Sequence, residues 1–348
     1  MTANEGGRLT IAMPPHLTIA IPTYNRPAEL RQTLEALLPQ LTPACTLRIV
    51  DNCSETEAAV VLNGVRHCAP GEATIDCVRN VVNVGGGANI VRCFELCDTD
   101  WLWILGDDDL VSPTAISLLL EAIRDAPQGC LYIHFGSATQ STVTEGVIEL
   151  LRGPAAFGSL LFMSTAIYRA SHFRQFARFG YQFLYSMAPH LAMLLTGLPV
   201  EGQCLFSPHN IIDSPSRGRT TWCPIVAALG KTSLVDLPLP LEARKVLYRI
   251  VTAKPSLEYL TATIILGSQG AGVAESVFVY NLLISRLCSN SRSPFLLVRS
   301  WIYRGLVYMS WLARPFVAMG YEWWRRRRAR AGIRVTEAAP GGISWDRI

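Results

Sequence analysis

Three aspartates, Asp107, Asp108 and Asp109, follow the apolar run 101–105 after a single glycine, Gly106, in the sequence WLWILGDDD. Adjacent carboxylates repel one another, and a single aspartate would suffice to cap a helix. A hard divalent cation relieves this crowding because it prefers oxygen ligands, and Mg²⁺ often completes its shell with water and substrate phosphates. The trio therefore predicts a site where a metal ion bridges the protein to a phosphate ligand.

Further polar groups follow other apolar runs. Thr23 and Tyr24 come after one such run, and Asp51 comes after the next. Asp51 fits a turn or a helix cap, but it could also accept a hydrogen bond from a nucleotide base or ribose. The glycines of NVGGGAN, residues 83–89, could let amides at a helix start approach a phosphate, although they match no dinucleotide or P-loop fingerprint.

These groups need a framework, which the order of the apolar patterns supplies. Short β-rich runs alternate with helical periodicity, as where Leu30, Leu34 and Leu37 share one helix face. This alternation predicts a mostly parallel sheet with helices on both faces, and ligands of such sheets bind beyond the carboxyl ends of the strands. We therefore expect the polar groups to converge on one edge. The predicted strands are 17–21, 46–50, 75–78, 101–105 and 130–135.

Composition places the chain among globular proteins. It has 348 residues, 50% of them hydrophobic and 17% charged, with a formal net charge of +4. Ten cysteines without a C-x-x-C pair favour reduced thiols over a disulfide framework or a zinc site. We expect no signal peptide, because Pro14 and Pro15 break the early apolar stretch, and we expect residues 179–200 to be buried core rather than a membrane span.

Positive charge is concentrated near the C-terminus. Residues 292–334 contain ten arginines and one acid, Glu322, mixed with aromatic and aliphatic side chains. This mixture is typical of a helix lying at a bilayer interface, with arginines at anionic headgroups. The alternative is an amphipathic helix that packs on the rest of the protein. We expect no nucleic-acid partner, because no nucleic-acid-binding motif accompanies the basic run.

The motifs LTIAIPTYNR, LRIVDNCS, NVGGGANI and WLWILGDDD, in this order and spacing, resemble a family 2 glycosyltransferase with the GT-A fold. They are most similar to the abequosyltransferase-like enzymes of bacterial O-antigen synthesis. The resemblance implies an α/β fold, a mostly parallel sheet flanked by helices, with a helical C-terminal extension. It implies a cytoplasmic enzyme, peripheral on the inner face of the cytoplasmic membrane, that transfers a sugar from a nucleotide-diphosphate donor to a lipid-linked oligosaccharide, usually with inversion.

The same resemblance assigns the donor site. Asp109 and Asp107 would hold Mg²⁺ or Mn²⁺, with Asp108 as an alternative ligand because the triplet allows two registers. Asp51 would bind the nucleotide base. The nucleotide-sugar residues implied are Pro22, Thr23, Tyr24, Arg26, Asp51, Asn83, Gly85, Gly86, Asp107 and Asp108.

The general base is the open point of the resemblance. Many relatives carry Glu-Asp before an apolar helix, where this chain reads FLYSMAPHLAMLL, residues 183–195, without an acid. A histidine ordinarily titrates near neutral pH, so His190 is one candidate, although it could equally be a packed core histidine. Glu201 and Asp213 are the alternatives. Two other functions stay open: a non-catalytic nucleotide-sugar- or glycan-binding relative, and a sugar-phosphate nucleotidyltransferase.

The expected organisation has four parts. Prolines within 208–240 predict loops beside the site. The parts are a flexible tail 1–16; a GT-A catalytic domain 17–240, with a nucleotide-sugar half 17–135 and an acceptor half 136–240; a helical region 241–330, whose basic segment 292–330 contacts the membrane; and a disordered tail 331–348.

Overall fold

The computed structural model describes residues 16–214, residues 229–251 and isolated helical positions between 282 and 323. Each of the five strands predicted from the sequence forms. The strands in the described part are β1 (Leu17–Thr23), β2 (Cys45–Asp51), β3 (Thr74–Arg79), β4 (Trp101–Ile104), β5 (Leu110–Val111), β6 (Cys130–Phe135), β7 (Thr142–Glu145), β8 (Ala166–Arg169), β9 (Gln203–Ser207) and β10 (Ile212–Ser214).

Helices connect most of these strands. Pro27 at the first position of the first helix suits a helix start, because its fixed φ is helical and its missing N–H is not needed there. The α-helices bounded within the described part are α1 (Pro27–Leu37), α2 (Ala58–Val65), α3 (Gly86–Leu96), α4 (Ala115–Asp125), α5 (Gly146–Arg152), α6 (Phe157–Leu160), α7 (Ala170–Phe173), α8 (Ala177–Gln182), α9 (Pro189–Gly197) and α10 (Leu241–Val251).

Among the described residues, eight strands form one sheet in the order β3-β2-β1-β4-β8-β6-β9-β7. The first four strands of that order pair in parallel, β8 runs antiparallel to both β4 and β6, and β9 is parallel to β6 while β7 is antiparallel to β9. Six of the eight strands therefore point the same way, and the predicted mostly parallel sheet is confirmed. The small pair β5 and β10 lies apart from this sheet as an antiparallel ribbon.

Apolar side chains cover both faces of the sheet. On one face, Ile19 of β1 belongs to the same buried cluster as Leu30 and Leu34 of α1. On the other face, the Phe94 ring of α3 lies 5.2 Å from the ring of Tyr168 on β8. Burial on two sides explains why the central strands read as continuous apolar runs rather than as alternating patterns.

The chain divides into two compact units. The first contains the sheet and comprises Met1–Gly146, Phe162–Ala177 and Gly197–Gly218; the second comprises Val147–Leu161, Arg178–Thr196 and Arg219–Ile348. Most residues of α9 are buried, but Tyr181, Tyr185 and Met187 before it and Val200 after it are exposed, so only part of the apolar stretch 179–200 is buried core as expected. The domain boundaries expected at 135 and 240 stay predictions.

Several expectations concern residues that lie outside the described part. They are the N-terminal tail up to 15, residues 215–228 of the proline-rich loops, most of the basic segment 292–330, and the tail 331–348. In the part that is described, we find no helix long and apolar enough to cross a bilayer. The eight cysteines of that part are all free thiols.

Candidate functional site

The carboxyl ends of β1, β2, β3 and β4 meet at one edge of the sheet because these strands are parallel. Thr23 ends β1 opposite Asp51 at the end of β2, and Asp51 lies opposite Arg79 at the end of β3. The aspartate trio follows β4. The polar groups predicted from the sequence therefore share this edge. Arg79 also lies there, although the sequence did not predict it.

Two of the three aspartates lie on either side of one arginine. Asp107 is buried; its Oδ2 accepts a hydrogen bond from Thr23 Oγ1 at 2.7 Å, and its Oδ1 accepts one from Arg26 Nη1 at 3.1 Å. The same Nη1 donates to Asp108 Oδ2 at 2.9 Å. The side chain of Asp108 is more exposed than that of Asp107, 18% against 8%. A single positively charged nitrogen thus lies between two carboxylates.

Asp109 is buried and is bound to a distant serine. Ser164 Oγ donates a short hydrogen bond to Asp109 Oδ2 and accepts one from the Gly106 amide at 2.9 Å. The carbonyl of Ser164 is fixed by Trp103 of β4, whose indole N–H lies 2.8 Å from it. A Cβ at Gly106 would lie 2.5 Å from Asp109 Oδ2, so this turn needs a glycine. Asp109 therefore closes the aspartate turn onto the residues that precede β8.

Thr33 of α1 fixes the backbone of the same turn. Its hydroxyl approaches two carbonyl oxygens, of Asp107 at 2.9 Å and of Asp109 at 3.3 Å. Thr33 is buried on the face of α1 that also carries Leu30 and Leu34. A polar residue inside an apolar helical stripe is a signal that sequence reasoning could have used to find it.

Burial and charge act in opposite directions on this cluster. Burial raises the pKa of Asp107 to about 6, against the lowering effect of the hydrogen bond from Thr23 and of the Arg26 charge. Burial alone would lower the pKa of Arg26, but the charges of Asp107 and Asp108 outweigh it and the pKa is raised. Burial therefore decides the direction of the pKa shift of Asp107, whereas the ion pairs decide that of Arg26. A positive charge between the two carboxylates is therefore stabilised, and Arg26 supplies it here.

The pair Asp107 and Asp108 fits a divalent cation, because two carboxylate oxygens already converge on one positive atom. Across the described residues, no group of three or more His, Cys, Asp and Glu side chains could hold a metal. Mg²⁺ or Mn²⁺ would take two protein ligands here and the rest from water and phosphate. In the register that uses Asp109, the carboxylate is already bound to Ser164 through Oδ2, whereas in the register with Asp107 and Asp108 the cation would take the place of Arg26 Nη1.

Asp51 is buried, and its carboxylate accepts hydrogen bonds from two backbone amides and one arginine. Oδ1 accepts the Ser54 amide at 2.9 Å, and Oδ2 accepts the Ala58 amide at 3.1 Å and Arg79 Nη1 at 2.7 Å. Burial would raise the pKa of Asp51, but these hydrogen bonds outweigh it and lower the pKa. Together with the Ser54 hydroxyl, which also lowers the pKa, these partners use the roughly four acceptor positions of the carboxylate, so a nucleotide base would have to replace one of them. The base-binding role of Asp51 stays a prediction.

The glycine loop leaves open space at the start of α3. Asn83 Oδ1 accepts hydrogen bonds from Asn52 Nδ2 at 2.7 Å and from the Gly85 amide at 2.8 Å, which fixes the loop. Gly85 has φ +86°, a conformation that favours glycine. A Cβ at Gly86 would meet nothing within 4 Å, so packing does not explain that glycine. Room for a ligand at a helix N-terminus is the alternative explanation.

The remaining predicted donor residues flank this edge. Pro22 lies within β1 and is half-buried, while Tyr24 follows the strand and is exposed. No pattern in the sequence predicts the contact of Ser164 with Asp109 or that of Arg79 with Asp51. Ser164 lies 55 positions from Asp109 in a short 3₁₀ turn without periodicity, and Arg79 is an ordinary basic residue at a strand end.

His190, one candidate for the base, lies within the second unit and is only 2% exposed. Neither ring nitrogen has a hydrogen-bonding partner. Burial lowers the pKa of His190 to about 4, although main-chain groups of Leu160 and Leu161 nearby raise it slightly without hydrogen-bonding geometry. In this structure His190 is a neutral core residue at pH 7, which agrees with the packed-histidine alternative.

Glu201 and Asp213, the other two candidates, lie at opposite edges of the first unit. Glu201 precedes β9, a strand that runs in the same direction as β4, so Glu201 lies at the amino ends, away from the aspartates. Asp213 is exposed on β10, which pairs with β5 immediately after the aspartate turn, Ser214 opposite Leu110. The ladder is irregular between 212 and 214, and such bulges redirect side chains. Asp213 is thus the candidate that the fold brings beside the trio.

We predict that His190 makes the stability of the protein depend on pH. The pKa of about 4 in the folded state is below the ordinary 6.5, so folding is stabilised above pH 6.5 and that contribution is lost as the pH falls towards 4. Urea unfolding should show a loss of about 2–3 kcal/mol between pH 7 and pH 4.5 that His190→Leu removes. The exposed His67, changed to Gln, is the control and should leave the pH dependence unaltered. Equal pH dependence in all three proteins would contradict the burial of His190.

Residues 18–183 match the family described as glycosyl transferase family 2. An uncharacterized glycosyltransferase of Haemophilus influenzae is 31% identical over 111 residues, which is 32% of this chain and 35% of that protein. The succinoglycan biosynthesis protein ExoM of Rhizobium meliloti is 28% identical over 139 residues, which is 38% of this chain and 43% of that protein. The chain therefore spans less than half the length of these relatives.

A solved structure extends the likeness to the fold. TarS residues 1–349 from S. aureus superimposes with a TM-score of 0.53 at 11% identity, over 88% of this chain and 92% of that one. The same protein is also solved in complex with UDP-GlcNAc, with a TM-score of 0.52. The predicted GT-A fold is confirmed, and residues 18–183 are similar to the family 2 glycosyltransferases. The abequosyltransferase-like subgroup stays a prediction.

Proposed function

We propose that this protein is a glycosyltransferase that transfers a sugar from a nucleotide-diphosphate donor to a hydroxyl group of a glycan acceptor. The observation that carries the proposal is the meeting of Thr23, Arg26, Asp107 and Asp108 at the carboxyl ends of β1 and β4. Paired carboxylates and a guanidinium suit a diphosphate with its cation. The similarity to the family 2 glycosyltransferases supports this function, as does the fold shared with TarS, which is solved with UDP-GlcNAc.

In the proposed donor complex, each group at the edge has a separate task. Asp107 and Asp108 would hold Mg²⁺ or Mn²⁺, and Thr23 keeps Asp107 oriented by its hydrogen bond. When bound, the cation would stabilise the negative charge of the departing nucleoside diphosphate. We assign part of the diphosphate to the open space at Gly86 and the base to the end of β2, where Asp51 lies.

The proposed reaction is inverting. The acceptor hydroxyl attacks the anomeric carbon from the side opposite the diphosphate, the carbon–oxygen bond to the diphosphate breaks, and the hydroxyl proton passes to a carboxylate of the protein. We assign this base to Asp213, because the β5–β10 ladder holds it beside the aspartate turn. Its exposure leaves it accessible to an acceptor that arrives from solvent.

The acceptor is proposed to be a lipid-linked oligosaccharide of bacterial surface polysaccharide synthesis, of the O-antigen type. The similarity to a succinoglycan biosynthesis protein supports the polysaccharide part of this proposal. A lipid-linked acceptor would keep the enzyme at the inner face of the cytoplasmic membrane, so a membrane-binding surface is expected on the protein.

An exposed apolar helix face supports membrane binding. Eight described positions at helical spacing are 58% to 74% exposed and carry large apolar side chains: Val298, Trp301, Ile302, Met309, Leu312, Phe316, Met319 and Trp323. Large exposed apolar patches mark interaction sites. In the sequence, arginines at 299, 304, 314 and 325–328 lie among and beyond these positions and would attract anionic headgroups.

We predict that the full chain floats with anionic vesicles containing about 30% phosphatidylglycerol, and that Trp301→Glu with Phe316→Glu abolishes most of this binding. The matched control is Val60→Glu with Val200→Glu, two equally exposed apolar residues of the first unit, which should float like the wild type. High salt should release part of the protein, because it screens the arginines and not the aromatic contacts. Flotation unaffected by the helix variant would contradict the proposal.

The second candidate function is a non-catalytic protein that binds a nucleotide sugar. It is favoured by the burial of His190 and by the absence of an acid in the sequence 183–195. The deciding experiment supplies Mn²⁺, a panel of UDP-, GDP-, dTDP- and CDP-sugars and a lipid-diphosphate glycan, with products read by mass spectrometry. One donor should extend the acceptor by one sugar. Binding without transfer or hydrolysis would favour the second candidate, and synthesis of a nucleotide sugar from a sugar phosphate would indicate a nucleotidyltransferase.

A further inference from the structure

The position expected for a divalent cation is taken by Arg26 of the protein itself. Its Nη1 lies 3.1 Å from Asp107 and 2.9 Å from Asp108, and the side chain is 25% exposed. Arg26 immediately precedes α1, so the short segment between β1 and α1 fixes its backbone beside the aspartates. A guanidinium and a divalent cation repel one another, so the two cannot share the space between these carboxylates.

We propose that Arg26 is a resident counter-ion of the aspartate pair, which moves to the donor diphosphate as the cation takes its place. This inference rests on the proposed function and adds a coupling to it: cation and diphosphate bind together, and the cation alone binds weakly. The guanidinium neutralises part of the charge of Asp107 and Asp108 while the donor is absent.

The cation can replace Arg26 without a net loss of ion pairs only when the diphosphate is present. A cation that enters alone must break the two contacts of Arg26 with the carboxylates, and the guanidinium gains no anion in return. A diphosphate supplies that anion, because the planar donor fork of arginine matches phosphate oxygens. By linkage, the cation then increases the affinity for the diphosphate by the same factor as the diphosphate increases the affinity for the cation.

Arg79 is a natural comparison for Arg26. It lies at the same edge, but its Nη1 pairs with Asp51 at 2.7 Å and its Nη2 donates to the Ser54 carbonyl at 2.9 Å. These contacts engage the end of β2 and not the aspartate turn. Removal of Arg79 should therefore alter nucleotide binding without changing the affinity of Asp107 and Asp108 for a cation.

The test titrates the full-length protein with Mn²⁺ and measures the free aquo ion by electron paramagnetic resonance, first without nucleotide. Arg26→Gln should bind Mn²⁺ at least about tenfold more tightly than the wild type, because a neighbouring positive charge has been removed. Arg26→Lys, which keeps the charge, and Arg79→Gln should stay within about twofold of the wild type. Added UDP, GDP, dTDP or CDP should then raise the Mn²⁺ affinity of the wild type by a larger factor than that of Arg26→Gln.

Three other results would overturn the inference, and each of them identifies the part that is wrong. If Asp108→Asn loses Mn²⁺ but Arg26→Gln binds it no better than the wild type, the metal site stands and the counter-ion role is wrong. Equal tightening in Arg26→Gln and Arg26→Lys would show that shape and not charge is responsible, which also overturns it. If no protein binds Mn²⁺ with any nucleotide, the metal part of the proposed function fails together with this inference.

Discussion

Asp108→Asn is expected to reduce sugar transfer by about 10²–10³-fold, because the leaving diphosphate loses an electrostatic contact in its transition state. The side chain of Asp108 is partly exposed and contacts Arg26, so the fold should survive the change. The measurement is kcat/KM for transfer at saturating Mn²⁺, with the melting temperature recorded for each variant. Glu29→Gln is the matched control, since Glu29 lines the same cavity of about 340 Å³ as Asp108 and should keep most of the activity.

The comparison with Asp109→Asn decides the register of the metal site. Asp109 binds Ser164 within the buried turn, so its replacement should lower the free energy of unfolding by about 1–3 kcal/mol. If instead Asp108→Asn keeps activity and metal affinity while Asp109→Asn loses both, Asp109 is the ligand, as the family resemblance implies. Activity that survives EDTA would remove the metal from the mechanism.

Asp213→Asn is expected to reduce kcat by about 10²–10⁴-fold with little change in the affinity for the donor. The amide cannot accept the hydroxyl proton, whereas donor binding depends on the ends of β1 and β4. Single-turnover transfer at saturating donor and acceptor measures the effect, and calorimetry measures donor affinity. Glu201→Gln is the matched control, because Glu201 is also an exposed acid of the first unit but lies at the amino ends of the strands.

His209→Gln completes the comparison, since His209 is exposed in the connection between β9 and β10. Full activity in Asp213→Asn with a large loss in His209→Gln would transfer the role of base to the histidine. A large loss in His190→Leu without loss of stability would return that role to His190.

Five strands of the sheet could be predicted from the sequence, because each one is a short, mostly apolar run followed by polar residues. The apolar runs at 17–21 and 101–105 fall within or beside β1 and β4, and the aspartates after the second run lie at the edge expected for a parallel sheet. These predictions succeed because burial on both faces demands uninterrupted apolar residues, which are visible one strand at a time. The convergence on one edge then follows from strand direction alone.

The partners of the site residues could not be predicted in the same way. Arg26 and Asp51 were both recognisable as polar residues near the site, but their pairing with Asp107, Asp108 and Arg79 depends on strands that are distant in the sequence. The antiparallel direction of β8 could not be predicted either, because the sequence of a four-residue strand does not indicate the direction in which it pairs. Burial of His190 depends on how α9 packs, which its apolar sequence alone leaves open.

The reversed direction of β8 determines when during synthesis the aspartate turn can be completed. Because β8 runs against β4, the residue that precedes it, Ser164, reaches the carboxyl edge and binds Asp109 across 55 positions of sequence. At about 5–20 residues per second, Ser164 is synthesised roughly 3–11 s after Asp109. A nascent chain that ends before β8 therefore carries the aspartates without the hydrogen bonds that close their turn. The last hydrogen bonds of the turn therefore form only after the segment that contains Ser164 has emerged from the ribosome.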